Sequence, residues 1–239
     1  MPVAKILERQ LVMDLTNATV FITGANRGLG LALVKSFARR GWTVWAAARK
    51  PESLGSISGD IHAVALDLSD AGSIDSLPAR IGSPPLDLLF NCAGQLESRA
   101  PMGGPETIDP WAEVFQVNVI GTMRLTLALL PQIEAGGRKI VSLTSRLGSI
   151  GENADGGIAA YRASKAALNA AMRTLACEVA AKGIIVGLVT PGWVRTDMGG
   201  PGAPVLAEER VEVLIDLLPR IGPAQSGRFL NHDGAESPW

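Results

Sequence analysis

One tyrosine, two histidines and two cysteines are all that 239 residues offer of the side chains most used in metal, nucleophilic and acid–base chemistry. Cys92 and Cys177 lie far apart, with no companion Cys or His at ligand spacing, so no metal site is expected. A disulfide framework is not expected either, and the reducing cytoplasm is the simpler setting. Charge of one sign is also missing: 22 basic and 23 acidic side chains leave a net charge of −1. Nucleic-acid partners call for a clustered basic surface, and none is expected here. The longest apolar run, Gly183 to Val189, is too short to span a bilayer. Lys5, Glu8 and Arg9 interrupt the opening residues, which do not read as a secretory signal.

What is abundant is material for a core: 47% of residues are apolar and 19% charged. Strand-like runs fall at Thr19–Thr23, Thr43–Ala47, His62–Leu66, Leu86–Phe90, Lys139–Leu143 and Ile184–Val189, with a short last one near Arg228–Leu230. Several are apolar almost throughout, as strands covered on both faces are. Helical patterns lie between them, at Gly28–Arg40, Ala71–Ile81, Trp111–Gln132, Ile158–Lys182 and Val205–Leu218. This alternation predicts an α/β doubly wound Rossmann fold, a central parallel sheet of about seven strands with helices on both faces. Residues 14–239 read as a single domain, and residues 1–13 as an N-terminal extension. Gly148–Gly157 and Met198–Pro204 read as functional loops.

Gly24, Gly28 and Gly30 punctuate a turn, Thr23 to Gly30, that follows a strand and opens a helix. Glycine permits the close backbone approach, and the helix N-terminus offers free N–H groups to a pyrophosphate. Asn26, Arg27 and Leu29 complete that turn. About 20 residues further on, where an acid would bind the ribose of NAD, the second strand instead ends in Arg49. Arg49 and Arg27 suit a 2′-phosphate, so the expected cofactor is NADP(H).

Tyr161 and Lys165 are four residues apart in an alanine-rich helical stretch and so share one face. A neighbouring ammonium lowers a phenol's pKa, and a tuned phenol can give a proton to a carbonyl oxygen or take one from an alcohol. Ser145, at the end of a buried strand, suits orienting a substrate oxygen. Ser142 and Thr144 are neighbouring hydroxyls, and Thr144 stays open as the alternative.

With these pieces in order, the sequence resembles the short-chain dehydrogenase/reductase family from about Asp14 to Trp239. The carriers are TGANRGLG (Thr23–Gly30), Asp67-Leu68, NCAG (Asn91–Gly94), FQVNVIG around Asn118, VSLTS (Val141–Ser145), YRASK (Tyr161–Lys165) and PGWVRTDM (Pro191–Met198). The closing run GRFLNHDGAESPW, with SRLGSI and DMGG, resembles the C-factor and Sniffer-type carbonyl reductase subgroup. The resemblance implies a catalytic group of Ser145, Tyr161 and Lys165, with Asn118 supporting a water relay through the lysine. It implies that Asp67 and Leu68 bind adenine, and that Asn91, Ala93 and Gly94 lie along the adenosine and ribose. Tyr161 and Lys165 would also contact the cofactor, and Pro191, Gly192, Val194 and Thr196 would border its nicotinamide end. Two features depart from the family pattern: Cys92 stands where a second Asn is usual, and the Ser145–Tyr161 spacing is a few residues long.

The expected function is hydride transfer between NADP(H) and a small carbonyl or alcohol substrate, with Tyr161 as general acid/base. The alternative is a non-catalytic NADP-binding redox sensor or signalling protein. Small residues along the helix of Tyr161 point to a homodimer or homotetramer.

Overall fold

Alternating strand residues sort the chain into two layers of core. In the computed structural model, which describes residues 18–96 and 102–239, Val20 and Ile22 of β1 (Thr19–Thr23) join one buried cluster and Phe21 the other. Leu88 and Phe90 of β4 (Leu88–Asn91) likewise part from Leu89. This is the period of two expected of strands covered on both faces. The sheet is completed by β2 (Thr43–Ala48), β3 (Ile61–Ala65), β5 (Lys139–Leu143), β6 (Ile185–Thr190) and β9 (Phe229–Asn231). Seven strands pair in parallel in the order β3-β2-β1-β4-β5-β6-β9. A separate two-stranded ladder joins β7 (Val194–Arg195) to β8 (Val205–Leu206). The order reverses between β1 and β4, so the crevice at their carboxyl ends is where a doubly wound sheet takes its ligand.

Helices cover both faces. On one, α1 (Gly28–Arg39) contributes Leu33, Val34 and Phe37, and α8 (Ala207–Leu217) contributes Val211, Leu214 and Ile215. On the other, α2 (Ala71–Asp75), α3 (Leu77–Arg80), α5 (Thr122–Ala128) and α7 (Ala159–Val179) bring Ile74, Leu77, Leu125, Leu168 and Met172. Burying each such side chain stabilises the fold by about 1.5–3 kcal/mol.

The expected α/β architecture is present, with four helical spans corrected. Ala71–Ile81 divides at Ser76, because Pro78 opens α3 instead of continuing α2. Trp111–Gln132 is α4 (Trp111–Phe115), a π-helical turn at Gln116–Gly121, then α5 and α6 (Leu130–Ala135), with Pro131 at the start of α6. Ile158 stands outside α7, in a left-handed conformation (φ 41°, ψ 51°). Val205–Leu206 pairs with Val194–Arg195 as a strand, so α8 begins at Ala207. Several strand limits also move by one or two residues, to Ile61–Ala65, Leu88–Asn91, Ile185–Thr190 and Phe229–Asn231. The expected extension at residues 1–13 lies outside the described residues. Among these, no helix is long and apolar enough to cross a membrane, and no group of His, Cys, Asp or Glu is arranged to hold a metal ion.

Candidate active site and dinucleotide cleft

Three glycines at the end of β1 leave no room for a side chain or need backbone angles that disfavour one. A Cβ on Gly30 would stand 2.0 Å from the Gly24 carbonyl oxygen, and one on Gly24 would stand 2.9 Å from the Ala93 Cα. Gly24 and Gly28 have φ of +65° and +52°. No side chain caps the start of α1 and no acid occupies its first turn, so its N–H groups and positive end are offered to an anion. Thr23 ties the turn to the neighbouring strand end: its Oγ1 accepts the N–H groups of Cys92 and Ala93, both at 3.0 Å.

A cavity of about 970 Å³ opens above this turn, at the carboxyl ends of β1 to β4. Gly24, Asn26, Arg27, Gly28, Leu29, Gly30, Arg49, Asp67, Leu68, Ala93, Gly94 and Thr196 all line it. Asp67 is held by Ser69, whose N–H and hydroxyl donate to its Oδ1 at 2.8 and 2.6 Å. Those two bonds, with the Arg49 guanidinium nearby, keep its carboxyl below the ordinary carboxylate range. Arg49 is exposed at the rim. Arg27 already forms an ion pair with Asp197 at 3.2 Å. That pair draws the segment after β7 across the glycine turn, where Thr196 sits close over Gly28.

Asn91, Tyr161, Lys165, Pro191, Gly192 and Val194 do not line this cavity. The Asn91 amide turns inward and donates to Thr126 and Ser142 at 3.0 and 3.1 Å. Val194 is buried in the core. Gly192 forms a left-handed turn (φ +75°), its N–H directed to the Thr190 hydroxyl at 3.3 Å.

Of the four expected catalytic residues, Asn118 and Lys165 meet Gly94 at the inner edge of the cleft, and Tyr161 lies beside Lys165. A Cβ on Gly94 would lie 3.5 Å from Asn118 Oδ1 and 3.6 Å from Lys165 Nζ. Lys165 is 4% exposed, donates to the Leu143 carbonyl at 2.9 Å, and stands 5.6 Å from the centre of the Tyr161 ring. Burial pushes its ammonium down to about 8, against a smaller opposing pull from Cys92. The Cys92 thiol is itself pushed up to about 12 by burial, so it is protonated and unreactive near neutrality.

Asn118 sits in the π turn, fully buried. Its side chain clasps the Gln95 backbone, accepting the N–H at 2.7 Å and donating to the carbonyl at 2.8 Å, and also donates to Ser164 at 3.0 Å. Ser164 in turn donates to the Tyr161 carbonyl at 2.8 Å. The main chain passes very close to the loop after β3 here: a Cβ on Gly121 would fall 2.0 Å from the Leu68 carbonyl oxygen. Such π turns recur at functional sites.

Of the three neighbouring hydroxyls, two are committed elsewhere. Ser142 accepts from Asn91, and Thr144, 3% exposed, donates to Asn169 at 2.6 Å. Ser145 is only half-buried, and its Oγ accepts the Leu147 N–H at 3.2 Å. The sequence reading missed Gln95, Ser164 and Thr23. The signals were there: Thr23 opens the glycine motif, Gln95 follows NCAG, and Ser164 lies inside YRASK.

Comparison with known proteins agrees with this geometry. Residues 18–203 match the family described as short chain dehydrogenase. The chain is 40% identical to C-signal of Myxococcus xanthus over 156 residues, covering 65% of this chain and 93% of that protein. It is 31% identical to the uncharacterized oxidoreductase C663.06c of Schizosaccharomyces pombe, covering 95% of this chain and all of that one. Among solved structures, the carbonyl reductase Sniffer of D. melanogaster superposes with a TM-score of 0.83 at 32% identity, over 94% of this chain and all of that chain. The NADPH-bound carbonyl reductase from chicken fatty liver gives 0.84 at 30% identity, over 95% of this chain and 96% of that one. With a glycine cradle on the first strand, a buried Tyr–Lys pair beside it and a family match across most of its length, this chain belongs to the short-chain dehydrogenase/reductase family of oxidoreductases.

Proposed function

We propose that this chain is an NADP(H)-dependent reductase or dehydrogenase acting on a small carbonyl or alcohol substrate. One observation carries the reading: Tyr161 and Lys165 are buried together on α7, with Lys165 next to the Gly94 that also borders the cleft. NADP(H) supplies the hydride when bound. The cradle of Gly24, Gly28 and Gly30, which a Cβ would fill or strain, fits its pyrophosphate. Asp67 and Leu68 would hold the adenine, and Arg49 with Arg27 the 2′-phosphate. Two solved structures at about 30% identity bear NADP or NADPH, which favours the same choice here.

In reduction, the Tyr161 hydroxyl gives its proton to the substrate oxygen, and in oxidation it takes one. Lys165, already paid down in basicity by burial, holds a positive charge near the phenol and favours the phenolate that remains. Ser145 donates its hydroxyl to the substrate oxygen; the commitment of Thr144 to Asn169 supports Ser145 over Thr144 for this part. Asn118 fixes the Gln95 turn and the start of α7, and its π turn gives a water chain a place to reach Lys165.

NADPH and NADH are to be compared side by side with aldehydes, ketones and quinones. Turnover is expected with NADPH, and Tyr161→Phe should lower kcat by about 10²–10⁴-fold while leaving NADPH affinity intact. NADH preference would sink the cofactor assignment, and a near-normal Tyr161→Phe rate would sink the acid/base assignment. Cofactor binding without turnover would favour the redox-sensor reading. The homodimer or homotetramer reading draws support from exposed Ile120 and Leu127, one helical face apart from the core, and is tested by light scattering.

A further inference from the structure

The connection from Ser145 to Tyr161 is longer than the family pattern implies, and its anchoring comes from a distant part of the chain. Gly148 lies against α7, where a Cβ would stand 2.9 Å from the Lys165 carbonyl carbon and Cβ. The next residue, Ser149, is 2% exposed. Its hydroxyl donates to the main-chain oxygen of Trp239 at 3.2 Å and accepts the Glu152 N–H at 3.1 Å. The Gly151 N–H donates to that same Trp239 oxygen at 2.9 Å.

Trp239 is itself fixed by the closing run of the sequence. After β9 the chain turns back through Asp233–Gly234. The Asn231 N–H donates to Ala235, and the Ser237 N–H to Phe229, both at 2.8 Å. Leu230 and Glu236 form an antiparallel bridge. The Trp239 ring lies 5.7 Å from that of Phe229. A hairpin rooted in the central sheet therefore delivers one main-chain oxygen to the loop. Ile150, between the two anchored residues, keeps its side chain 78% exposed.

We infer that the Trp239–Ser149–Gly151 bridge is a strap that sets the substrate side of the site, with Ser149 and Trp239 as positioning residues for apolar carbonyl substrates. This rests on the carbonyl–alcohol reading above. The strapped loop joins Ser145, which orients the substrate oxygen, to Tyr161, which exchanges its proton, so its position fixes what flanks the reacting oxygen. None of residues 146–157 or 229–239 lines the dinucleotide cavity, and loss of the strap is expected to leave NADPH affinity unchanged. An exposed isoleucine held between two immobilised neighbours gives an apolar contact whose ordering cost is already met before substrate arrives.

The test uses the full chain with Ser149→Ala, Ser149→Thr, Trp239→Phe, removal of Trp239, and removal combined with Ser149→Ala. Amide hydrogen exchange at Gly151 and Glu152 reads the strap directly. KM for propanal, cyclohexanone and naphthoquinone, with NADPH affinity by fluorescence, reads its effect. Removing Trp239 should speed exchange at Gly151 at least about ten-fold, and Ser149→Ala should do the same at Glu152. KM should rise about ten-fold for the two larger compounds and less for propanal, with NADPH affinity within about two-fold. Ser149→Thr and Trp239→Phe, which keep the hydroxyl and the main-chain oxygen, should stay near the parent. The combined variant should be no worse than the more severe single one, because both break one restraint. Unchanged exchange, an equal loss of NADPH affinity, or fully additive effects would overturn the strap. Faster exchange in the variants of a chain that reduces no carbonyl at all would keep the strap and overturn the carbonyl reading instead.

Discussion

The glycine turn and the Ser145–Tyr161 loop are held by different balances of contact. At the turn, main chain meets main chain: Gly30 against the Gly24 carbonyl, Gly24 against Ala93. The loop has one such approach, Gly148 against Lys165, and beyond it is held by hydrogen bonds that Ser149 and Gly151 donate to the distant Trp239 oxygen. A steric fit leaves nothing to adjust, since an added methyl in a filled space forces backbone to move. Hydrogen bonds contribute about 0.5–1.5 kcal/mol each and can be lost singly. The cofactor side is thus rigid to substitution and the substrate side graded, which lets one side stay fixed while the other varies.

Breaking the rigid side should have the largest effect. Gly30→Ala puts a Cβ into 2.0 Å of backbone oxygen, and NADPH affinity should fall by more than about 100-fold, with lower thermal stability, an overpacking cost of about 1–3 kcal/mol or more. Gly41→Ala is the control: its φ is +78°, but nothing lies within 4 Å of the added Cβ. It should cost only about 1 kcal/mol and leave NADPH binding unchanged. Equal losses in the two variants would show that the close approach at Gly30, whose φ is not left-handed, does not govern the turn.

The two ends of β5 sharpen the comparison through pH. Lys139, its first residue, is 6% exposed and donates to the Leu218 carbonyl at 2.7 Å. Lys165 makes the matching bond to Leu143 at the other end. Burial pushes both ammonium groups down to about 8. Between that value and the unfolded pKa near 10.4, the unfolded chain binds more protons, so stability rises with pH. From pH 8 to 9 each lysine should add about 1 kcal/mol. The Cys92 thiol, pushed up to about 12, takes back part of this gain as pH passes its unfolded value of about 8.5, so the lysine contribution is read in a Cys92→Ala background. Denaturant unfolding should show the rise, and Lys139→Met and Lys165→Met should each remove about half of it. Only Lys165→Met should abolish turnover. A flat profile in the parent chain would mean that neither ammonium is destabilised by its burial.

The contrast also explains what was legible in the sequence. Apolar β-rich runs located the strands, because central strands covered on both faces leave a continuous apolar record. The glycines of the cradle were legible because a tight turn has few chemical solutions. Tyr161 and Lys165 followed from helical spacing. The π turn at Gln116–Gly121 was not legible, and neither was the close approach of Gly121 to Leu68 across the fold. Neither was the pairing of Val205 with Val194, which has no local signature in two residues. The Asn118 clasp on Gln95 and the Trp239 contact with Ser149 join residues 23 and 90 positions apart, and no periodicity reports contacts of that kind.

A smaller effect is expected from Arg27 and Arg49, proposed for the 2′-phosphate, which differ in whether an ion-pair partner is already in place. Asp197 holds Arg27 at 3.2 Å, and Arg49 stands exposed at the end of β2. Arg49→Ala should weaken NADPH by about ten-fold, about one charge-assisted contact, and leave NADH affinity unchanged. Arg27→Ala should weaken it less, because the Asp197 pair competes for the same guanidinium. Titration of each variant with both cofactors reads the difference, and equal losses for NADH and NADPH would remove both residues from 2′-phosphate recognition.

The smallest effect tests the graded side at its second joint. Ile158 is a β-branched residue held left-handed at φ 41°, a conformation that costs about 1–3 kcal/mol. The adjacent chain is hooked by Arg162, whose Nε donates to the carbonyls of Gly156 and Gly157 at 3.0 and 3.1 Å. Arg162→Ala should let this joint relax, raising KM for the carbonyl substrate about three-fold and lowering stability by about 1 kcal/mol, with NADPH affinity unchanged. Glycine takes the left-handed region without steric cost. Ile158→Gly in the Arg162→Ala background should therefore recover much of the stability, read by thermal unfolding, but not the KM, because it removes strain without restoring the hook. Recovery of both would mean that the backbone angle at residue 158 alone governs the loop, and would leave the Arg162 hook without a part in holding it.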